Sequence, residues 1–220
     1  MKTIAIIPAR AGSKRLPNKN IMHLGNIPLL AHSIIFAKQH NFISEVYVST
    51  DSKEIKKIAI QYGAKVIDRP ENISGDFEPT VSALKHVLED MEQVDNVILL
   101  QPTNPFRPEN LLNEAFEIFN QENYDSLFTV SRNFQKLGKI LDNKFKPFNY
   151  EIGQRSQDLE PLFFENGLLY ITKAKLILDD VIISENAFPL EVNHIFANVD
   201  IDTNEDFEYA KYLLNKFEQK

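Results

Sequence analysis

The sequence contains no cysteine among its 220 residues. This absence excludes disulfide bonds, thiolate zinc sites and cysteine nucleophiles. No apolar run approaches the roughly 20 residues that a membrane-spanning helix needs, so no contact with a membrane is expected. The apolar stretch near Met1 is interrupted at Pro8 and is too short for a secretory signal. Together these absences predict a cytoplasmic location.

Acidic residues are absent from the first 44 positions, although they outnumber basic residues in the whole chain. The chain has 24 Lys and Arg against 31 Asp and Glu, a net charge of -7, so nucleic acid is not an expected partner. Six of the basic residues lie in the acid-free stretch, four of them between Arg10 and Lys19, directly after the apolar run Ile4–Ile7. Cations concentrated where a buried strand ends predict a site for a small polyanion such as a nucleoside triphosphate.

Strand-like and helix-like segments alternate along most of the chain. This rhythm predicts an α/β fold with a mainly parallel sheet and helices on both faces. The predicted strands are Ile4–Ile7, Val46–Val48, Ala64–Ile67, Asn96–Leu100, Leu162–Phe164, Leu168–Thr172 and Ala197–Ile201. The predicted helices are Pro28–His40, Lys53–Tyr62, Thr80–Met91, Pro108–Asn120 and Asn204–Phe217, with Ser52 and Thr203 as caps.

The chain is predicted to form a single domain, residues 1–220, with one insertion. The alternation stops after Val130, and residues 131–160 are polar and without clear periodicity. We interpret this segment as a lid or an oligomer contact. The dipeptide Asn166-Gly167, between two strand-like runs, by itself favours a hairpin turn.

The loop Ala9–Asn20 follows the first strand and matches neither the GxxxxGK[ST] nor the GxGxxG phosphate-binding pattern. Gly12 would allow a close backbone approach or a positive φ. Backbone N–H groups around Ala11–Ser13 can form an anion-binding concavity, and Arg10 and Lys19 can hold phosphates. The alternative is a solvated basic turn.

Asp200 and Asp202 form the second candidate site. Carboxylates at i and i+2 on an extended segment point to the same face, and their repulsion favours a bound cation. Carboxylates that leave room for phosphate are typical of Mg²⁺ sites. The alternative is that Asp202 or Thr203 only caps the last helix.

Two further strand-end segments carry polar groups. Gln101 stands at the tip of the most apolar strand and begins the loop Gln101–Arg107, which could also be only a tight turn. Arg69 could contact a phosphate or a base. The histidines show no metal-binding spacing, and no GxSxG motif supports a serine hydrolase.

Taken together, these motifs resemble the acylneuraminate cytidylyltransferases, also called CMP-sialic acid synthetases. The similar segments follow in order over nearly the whole chain: Ile6–Lys14 with Lys19-Asn20, Ser49–Asp51, Asp68–Pro70, Leu99–Thr103, Arg155–Leu159, Asn166-Gly167 with Tyr170, and Asp200–Thr203.

The resemblance implies a three-layer Rossmann-like nucleotidyltransferase fold and a role for particular residues. Catalysis would involve Arg10 and Lys19, which hold the triphosphate of CTP, and Asp202. The nucleotide would also be contacted by Ala11, Gly12, Ser13 and Asn20, with Arg69 and Thr80 near the cytidine. A sugar acid would be bound by Gln101, Lys136, Arg155, Asn166 and Tyr170, and Mg²⁺ by Asp200 and Asp202. The family resemblance further implies a homodimer in which residues 131–160 cross to the partner and complete its sugar site.

The implied reaction joins CTP to a nine-carbon 2-keto sugar acid, giving the CMP-sugar and pyrophosphate. Three departures concern Arg15, where many sialic acid enzymes have glycine, the run Gly75–Glu78, and Glu165, where some relatives have a basic residue. The last two leave N-acetylneuraminate, legionaminate and pseudaminate open, and the run 155–161 favours legionaminate. Alternatives are a 3-deoxy-manno-octulosonate cytidylyltransferase and a non-catalytic nucleotide-binding regulator.

Overall fold

A computed structural model describes residues 1–89, 91–121 and 123–218, and its centre is a seven-stranded sheet. The strands are β1 (Thr3–Pro8), β2 (His23–Leu24), β3 (Ile27–Pro28), β4 (Ile43–Thr50), β5 (Lys65–Asp68), β6 (Asn96–Leu99), β7 (Ser126–Asn133), β8 (Gly138–Leu141), β9 (Lys144–Pro147), β10 (Leu162–Lys173) and β11 (Ala187–Glu191). The helices are α1 (Leu29–Lys38), α2 (Lys53–Gln61), α3 (Thr80–Glu89), α4 (Leu111–Gln121), α5 (Ala174–Leu178) and α6 (Asn204–Glu218).

The central sheet is mainly parallel. Its strand order is β11-β7-β10-β6-β1-β4-β5. Only β10, among the strands of this sheet in the described residues, runs antiparallel to its neighbours, β6 and β7. This arrangement confirms the predicted α/β class.

Both faces of the sheet are covered, which gives the predicted three layers. In β1, Ile4 and Ile6 belong to the core that α3 and α5 cover, whereas Ala5 and Ile7 belong to the core under α1, α2 and α4. All four side chains are fully buried. A strand buried on both faces reads as a continuous apolar run, which is why Ile4–Ile7 was recognisable in the sequence.

The predicted caps of two helices are confirmed. The hydroxyl of Ser52 accepts a bond from the Ile55 N–H at 3.3 Å, at the start of α2. At α6, the Asp206 N–H donates to the Thr203 hydroxyl at 3.3 Å, and the Thr203 N–H donates to the Asp206 carboxylate at 2.8 Å. This reciprocal pair is a capping box, so Thr203 rather than Asp202 caps the helix. The helix predicted over Thr80–Met91 is described as α3 up to Glu89. Asp90 lies outside the described residues.

The predicted strand Ala197–Ile201 is wrong. Residues Ile195–Asn198 form a 3-10 helix instead. The Val199 N–H donates to the Phe196 carbonyl at 3.1 Å, and the Ile201 N–H donates to the Thr103 carbonyl at 2.8 Å. Val199 and Ile201 are buried in a cluster with α6, whereas Ala197 packs into the core on one face of the sheet.

The predicted hairpin turn at Asn166-Gly167 is also wrong, because β10 continues through it. The pairing with β7 shifts register between Glu165 and Tyr170, which marks a bulge. Gly167 has φ +76°, and a Cβ there would lie 2.8 Å from the Asn104 Oδ1. Gly167 therefore lies in a bulge inside a strand, where the Asn104 side chain approaches the backbone too closely for a Cβ atom.

Residues 131–160 only partly leave the sheet. Their first three residues finish β7, and β8 and β9 then form a separate hairpin. Neither the edge strand β11 nor its neighbour β7 was among the predicted strands. No helix among residues 1–89, 91–121 and 123–218 is long and apolar enough to cross a membrane.

Candidate active site

A cavity of about 470 Å³ lies where the parallel strands β1, β5 and β6 end. This position is where open α/β sheets bind ligands. The cavity brings together nine of the residues predicted from the sequence: Arg10, Gly12, Ser13, Lys19, Asn20, Arg69, Thr80, Gln101 and Asp202.

Hydrogen bonds within the loop after β1, and from it to the end of β4, fix its course. The Ala9 N–H donates to the Ser49 carbonyl at 2.9 Å, and the Asn20 amide donates to the Arg10 carbonyl at 3.1 Å. The Ala11 N–H donates to the Asp51 carboxylate at 2.7 Å, so it is not available to an anion in this arrangement. Ala11 lines an adjacent cavity of about 380 Å³ instead of the main one.

At Gly12 the protein shows neither a close approach of other protein atoms nor a positive φ, the two features that the sequence suggested for this glycine. A Cβ at this position would meet nothing within 4 Å, and its φ is not in the left-handed region. The space over Gly12 is therefore open on the side of the cavity. A ligand, rather than the protein, can use the close approach that glycine permits.

Two aspartates form ion pairs with the four cations of this loop, so the positive charges still outnumber the negative ones. Asp76 contacts Arg10 at 2.8 Å and Lys14 at 2.6 Å. Asp202 contacts Lys19 at 2.7 Å and also pairs with Arg15. Arg10 and Lys19 are thereby held at the cavity with little exposure, whereas Lys14 and Arg15, at 76% and 67% exposure, keep the solvated character of a basic turn.

Asp200 and Asp202 differ in their surroundings. Asp202 lines the cavity, whereas Asp200 lies beside it and accepts a bond from Thr103. Partial burial of the carboxyl, together with the nearby charge of Asp202, raises the pKa of Asp200 above its usual range. This mutual repulsion is what a bound cation would relieve.

The described residues contain no group of three or more His, Cys, Asp or Glu side chains arranged to hold a metal. A pair of carboxylates is nevertheless the donor set that fits Mg²⁺ when phosphate and water supply the other ligands. The raised pKa of Asp200 beside Asp202 is consistent with such a site.

Arg69 is buried at the back of the cavity. Its Nε donates to the Ser49 hydroxyl at 3.0 Å and its Nη2 to the Ser49 carbonyl at 2.7 Å. Burial lowers the pKa of Arg69 to about 10, and the charge of Asp51 opposes that shift. The guanidinium therefore remains charged at neutral pH and is held in one orientation.

Four predicted sugar-binding residues do not line this cavity. Lys136 and Arg155 are in the inserted segment, where Lys136 bonds the Gln154 carbonyl and Arg155 pairs with Asp158 at 2.8 Å. Asn166 is buried and bonds Thr129 at 2.6 Å and Ser131 at 3.0 Å, which anchors the bulge of β10. Tyr170 is buried and donates to Glu165 at 3.2 Å; burial raises its pKa.

Arg107 is a buried residue that bonds to segments next to the cavity, and the sequence alone did not indicate a role for it. Its guanidinium donates to the Leu168 carbonyl at 2.7 Å, the Ser33 hydroxyl at 3.1 Å and the Gln101 carbonyl at 3.0 Å. Burial lowers the pKa of Arg107 to about 9. Arg107 thereby joins the tip of β6, which carries Gln101 into the cavity, to β10.

Comparison with known proteins identifies similar sequences over the whole chain. A cytidylyltransferase family model matches residues 4–220. The CMP-N,N'-diacetyllegionaminic acid synthase of Legionella pneumophila is 37% identical, over 97% of both chains. The pseudaminic acid cytidylyltransferase of Campylobacter jejuni is 33% identical, over 97% of this chain and 96% of the relative.

A solved structure has the same fold. It is a CMP:2-keto-3-deoxy-manno-octonic acid synthetase complexed with CTP, with a TM-score of 0.74 and 18% identity. The match covers 99% of this chain and 100% of the other. At this identity the likeness confirms the Rossmann-like nucleotidyltransferase fold alone.

Proposed function

The chain belongs to the cytidylyltransferase family, and from that premise we propose that it activates a nine-carbon 2-keto sugar acid with CTP. The products are the CMP-sugar and pyrophosphate. The names of the two relatives, which act on diacetyllegionaminic and pseudaminic acid, support this substrate class. Of the candidates, we favour a legionaminate-type acid, in agreement with the run 155–161.

One observation carries the proposal. A single cavity contains the cations Arg10 and Lys19 on the β1 loop, the carboxylate of Asp202, and the buried guanidinium of Arg69. Cations suit a triphosphate, and a carboxylate in the same cavity, next to Lys19, suits the metal that accompanies it. A site for a neutral ligand would not need this arrangement.

In the proposed mechanism, the anomeric hydroxyl of the sugar acid attacks the α-phosphorus of CTP in line. Arg10 and Lys19 hold the leaving pyrophosphate and stabilise its developing charge. Arg69 and Thr80 position the cytidine, with Ala11, Gly12, Ser13 and Asn20 forming the loop around the nucleotide. Orientation and charge neutralisation supply the rate enhancement, since phosphoryl transfer needs little covalent chemistry from the protein.

The carboxylate pair has two tasks. Asp200 and Asp202 would hold Mg²⁺, which neutralises charge at the α-phosphate when bound. Asp202 is already held by Arg15 and Lys19. In this proposal the pair also accepts the proton of the attacking hydroxyl, on one of its two carboxylates.

The reaction panel that tests this function combines purified protein, CTP, Mg²⁺ and one sugar acid at a time. We expect pyrophosphate release with N,N'-diacetyllegionaminate, pseudaminate or N-acetylneuraminate, fastest with the first, and none with CTP or a sugar acid alone. Fastest release with 3-deoxy-manno-octulosonate would favour that alternative. Binding of CTP without release from any acid would favour a non-catalytic regulator.

We further propose that the enzyme is a cytoplasmic homodimer in which residues 131–160 reach the partner's site. This placement gives a reason why Lys136 and Arg155 do not line the cavity of their own chain. The hairpin of β8 and β9 also exposes apolar side chains, including Ile140 and Phe145, as an intersubunit segment would before association.

Mixed dimers test this arrangement directly. Arg155→Ala and Asp202→Ala should each be nearly inactive alone, because one lacks a sugar contact and the other a metal ligand. After the two variants are unfolded and refolded together, half of the dimers should contain one chain of each variant. In each mixed dimer, one site combines the intact Asp202 of one chain with the intact Arg155 of the other. About a quarter of all sites should therefore be intact. Mixtures no more active than their components would contradict a crossing segment.

A further inference from the structure

The loop formed by residues 74–79 lies along the cavity between a 3-10 helix (Glu71–Ile73) and α3. It carries Asp76, whose two carboxylate oxygens contact two different cations of the β1 loop. The Oδ1 atom is 2.8 Å from the Arg10 Nη1, and the Oδ2 atom is 2.6 Å from the Lys14 Nζ. The same Arg10 nitrogen also donates to the Ser74 carbonyl at 3.4 Å.

Asp76 thus presents to Arg10 and Lys14 the same features that a phosphate group presents: negative charge and two adjacent acceptor oxygens. Within residues 1–89, 91–121 and 123–218, no other acid pairs with either cation. Both cations line the cavity in which the proposed function places the triphosphate. A phosphate and the Asp76 carboxylate cannot occupy this position together, because their charges repel.

We propose that Asp76 is an internal competitor of the triphosphate, which forms ion pairs with Arg10 and Lys14 until a nucleotide displaces it. This inference rests on the proposed function for the identity of the nucleotide. The exchange replaces one set of charge-assisted bonds by another, so the cations are never left uncompensated in the partly buried site. After the reaction, the returning carboxylate competes with pyrophosphate and promotes its departure.

The loop formed by residues 74–79 has few contacts that would oppose the displacement of Asp76. Phe77, next to Asp76, is 97% exposed, so the tip of the loop is not anchored in the core. The Asp76 side chain itself is 30% exposed and its partner Lys14 is 76% exposed. Ion pairs of this exposure are weak. Pairing with Lys14 and Arg10 lowers the pKa of Asp76, so the carboxylate is charged at neutral pH.

The test is the nearly isosteric variant Asp76→Asn, studied by calorimetric titration with CTP, inorganic tripolyphosphate and cytidine. The dissociation constants for CTP and tripolyphosphate should fall about three- to tenfold, as expected for the loss of two partly exposed pairs. The affinity for cytidine, which has no phosphate, should not change. In steady-state assays, inhibition by pyrophosphate should become stronger by a similar factor.

Glu78→Gln is the matched control, since it removes the same charge from the same loop. Glu78 lines the cavity but makes no ion pair among the described residues; its carboxylate only accepts a bond from the Ser82 hydroxyl at 3.4 Å. We expect this variant to bind tripolyphosphate as the wild type does. Equal tightening in both variants would reduce the effect to a general loss of negative charge and overturn the proposal.

The remaining outcomes separate this inference from the proposed function. Unchanged or weaker tripolyphosphate binding by Asp76→Asn would overturn the competition, whatever the reaction is. Tighter tripolyphosphate binding by the variant, together with no transfer of CMP to any sugar acid by the wild type, would refute the proposed function and leave the competition standing.

Discussion

Replacing Arg10 with alanine is expected to lower kcat/KM about 10²- to 10³-fold, the range seen when one preorganised charge at a transition state is removed. Arg10 is fixed at the end of β1, where its carbonyl accepts a bond from Asn20 and its guanidinium enters the cavity. The charge on the leaving pyrophosphate grows as the bond to the α-phosphorus breaks. The loss should therefore be larger in kcat than in the affinity for CTP, and steady-state kinetics with varied CTP measures both.

Arg10→Lys is the natural companion variant. It keeps the positive charge but loses the planar fork that can bind two phosphate oxygens at once, so an intermediate loss is expected. The fold should survive both changes, because among the described residues the guanidinium pairs with Asp76 and donates to the Ser74 carbonyl, and both partners lie in one surface loop. Thermal unfolding checks that point. If folded Arg10→Ala retained kcat/KM within a few fold of the wild type, Arg10 would have no role in the chemistry.

The sequence was sufficient to predict the convergence of Arg10, Arg69 and Gln101. Each follows a strand whose apolar character marks it as part of a parallel sheet, and the ends of such strands meet at one edge. Asn166-Gly167 shows where this reasoning fails. The local pair indicates a turn, but Asn166 bonds to Thr129 and Ser131 on β7, and such distant contacts decide between a turn and a bulge.

The segment Ala197–Ile201 was misread for a related reason. Its apolar residues are indeed buried, Val199 at 1% exposure and Ile201 at 0%. Periodicity, however, reports that a side chain is buried and not which element buries it. The ion pairs of the loops could not be predicted for the same reason. The pairing of Asp76 with Arg10, and of Arg15 with Asp202, depends on the backbone conformation of loops, which composition does not determine.

Replacing Asp202 with alanine should lower kcat about 10²- to 10³-fold at saturating Mg²⁺. The variant lacks one of the two carboxylates proposed to hold the Mg²⁺ that stabilises the charge of the transition state. The KM for CTP should not rise. Lys19, only 12% exposed, would lose the carboxylate that now holds it at 2.7 Å, and its charge would become available to the triphosphate. A fall in kcat with a constant or lower KM separates a metal ligand from a residue that merely binds substrate.

Two controls make this prediction specific. Arg15→Ala removes one ion pair of Asp202 but keeps the carboxylate, so it should change kcat only slightly. The helix α6 should stay intact in Asp202→Ala, because Thr203 and Asp206 form its cap, and thermal unfolding tests this. Near-normal turnover of Asp202→Ala at saturating Mg²⁺ would refute the metal assignment. A kcat that titrates with Mg²⁺ at a higher concentration than in the wild type would instead support it, since one of the two carboxylates would remain.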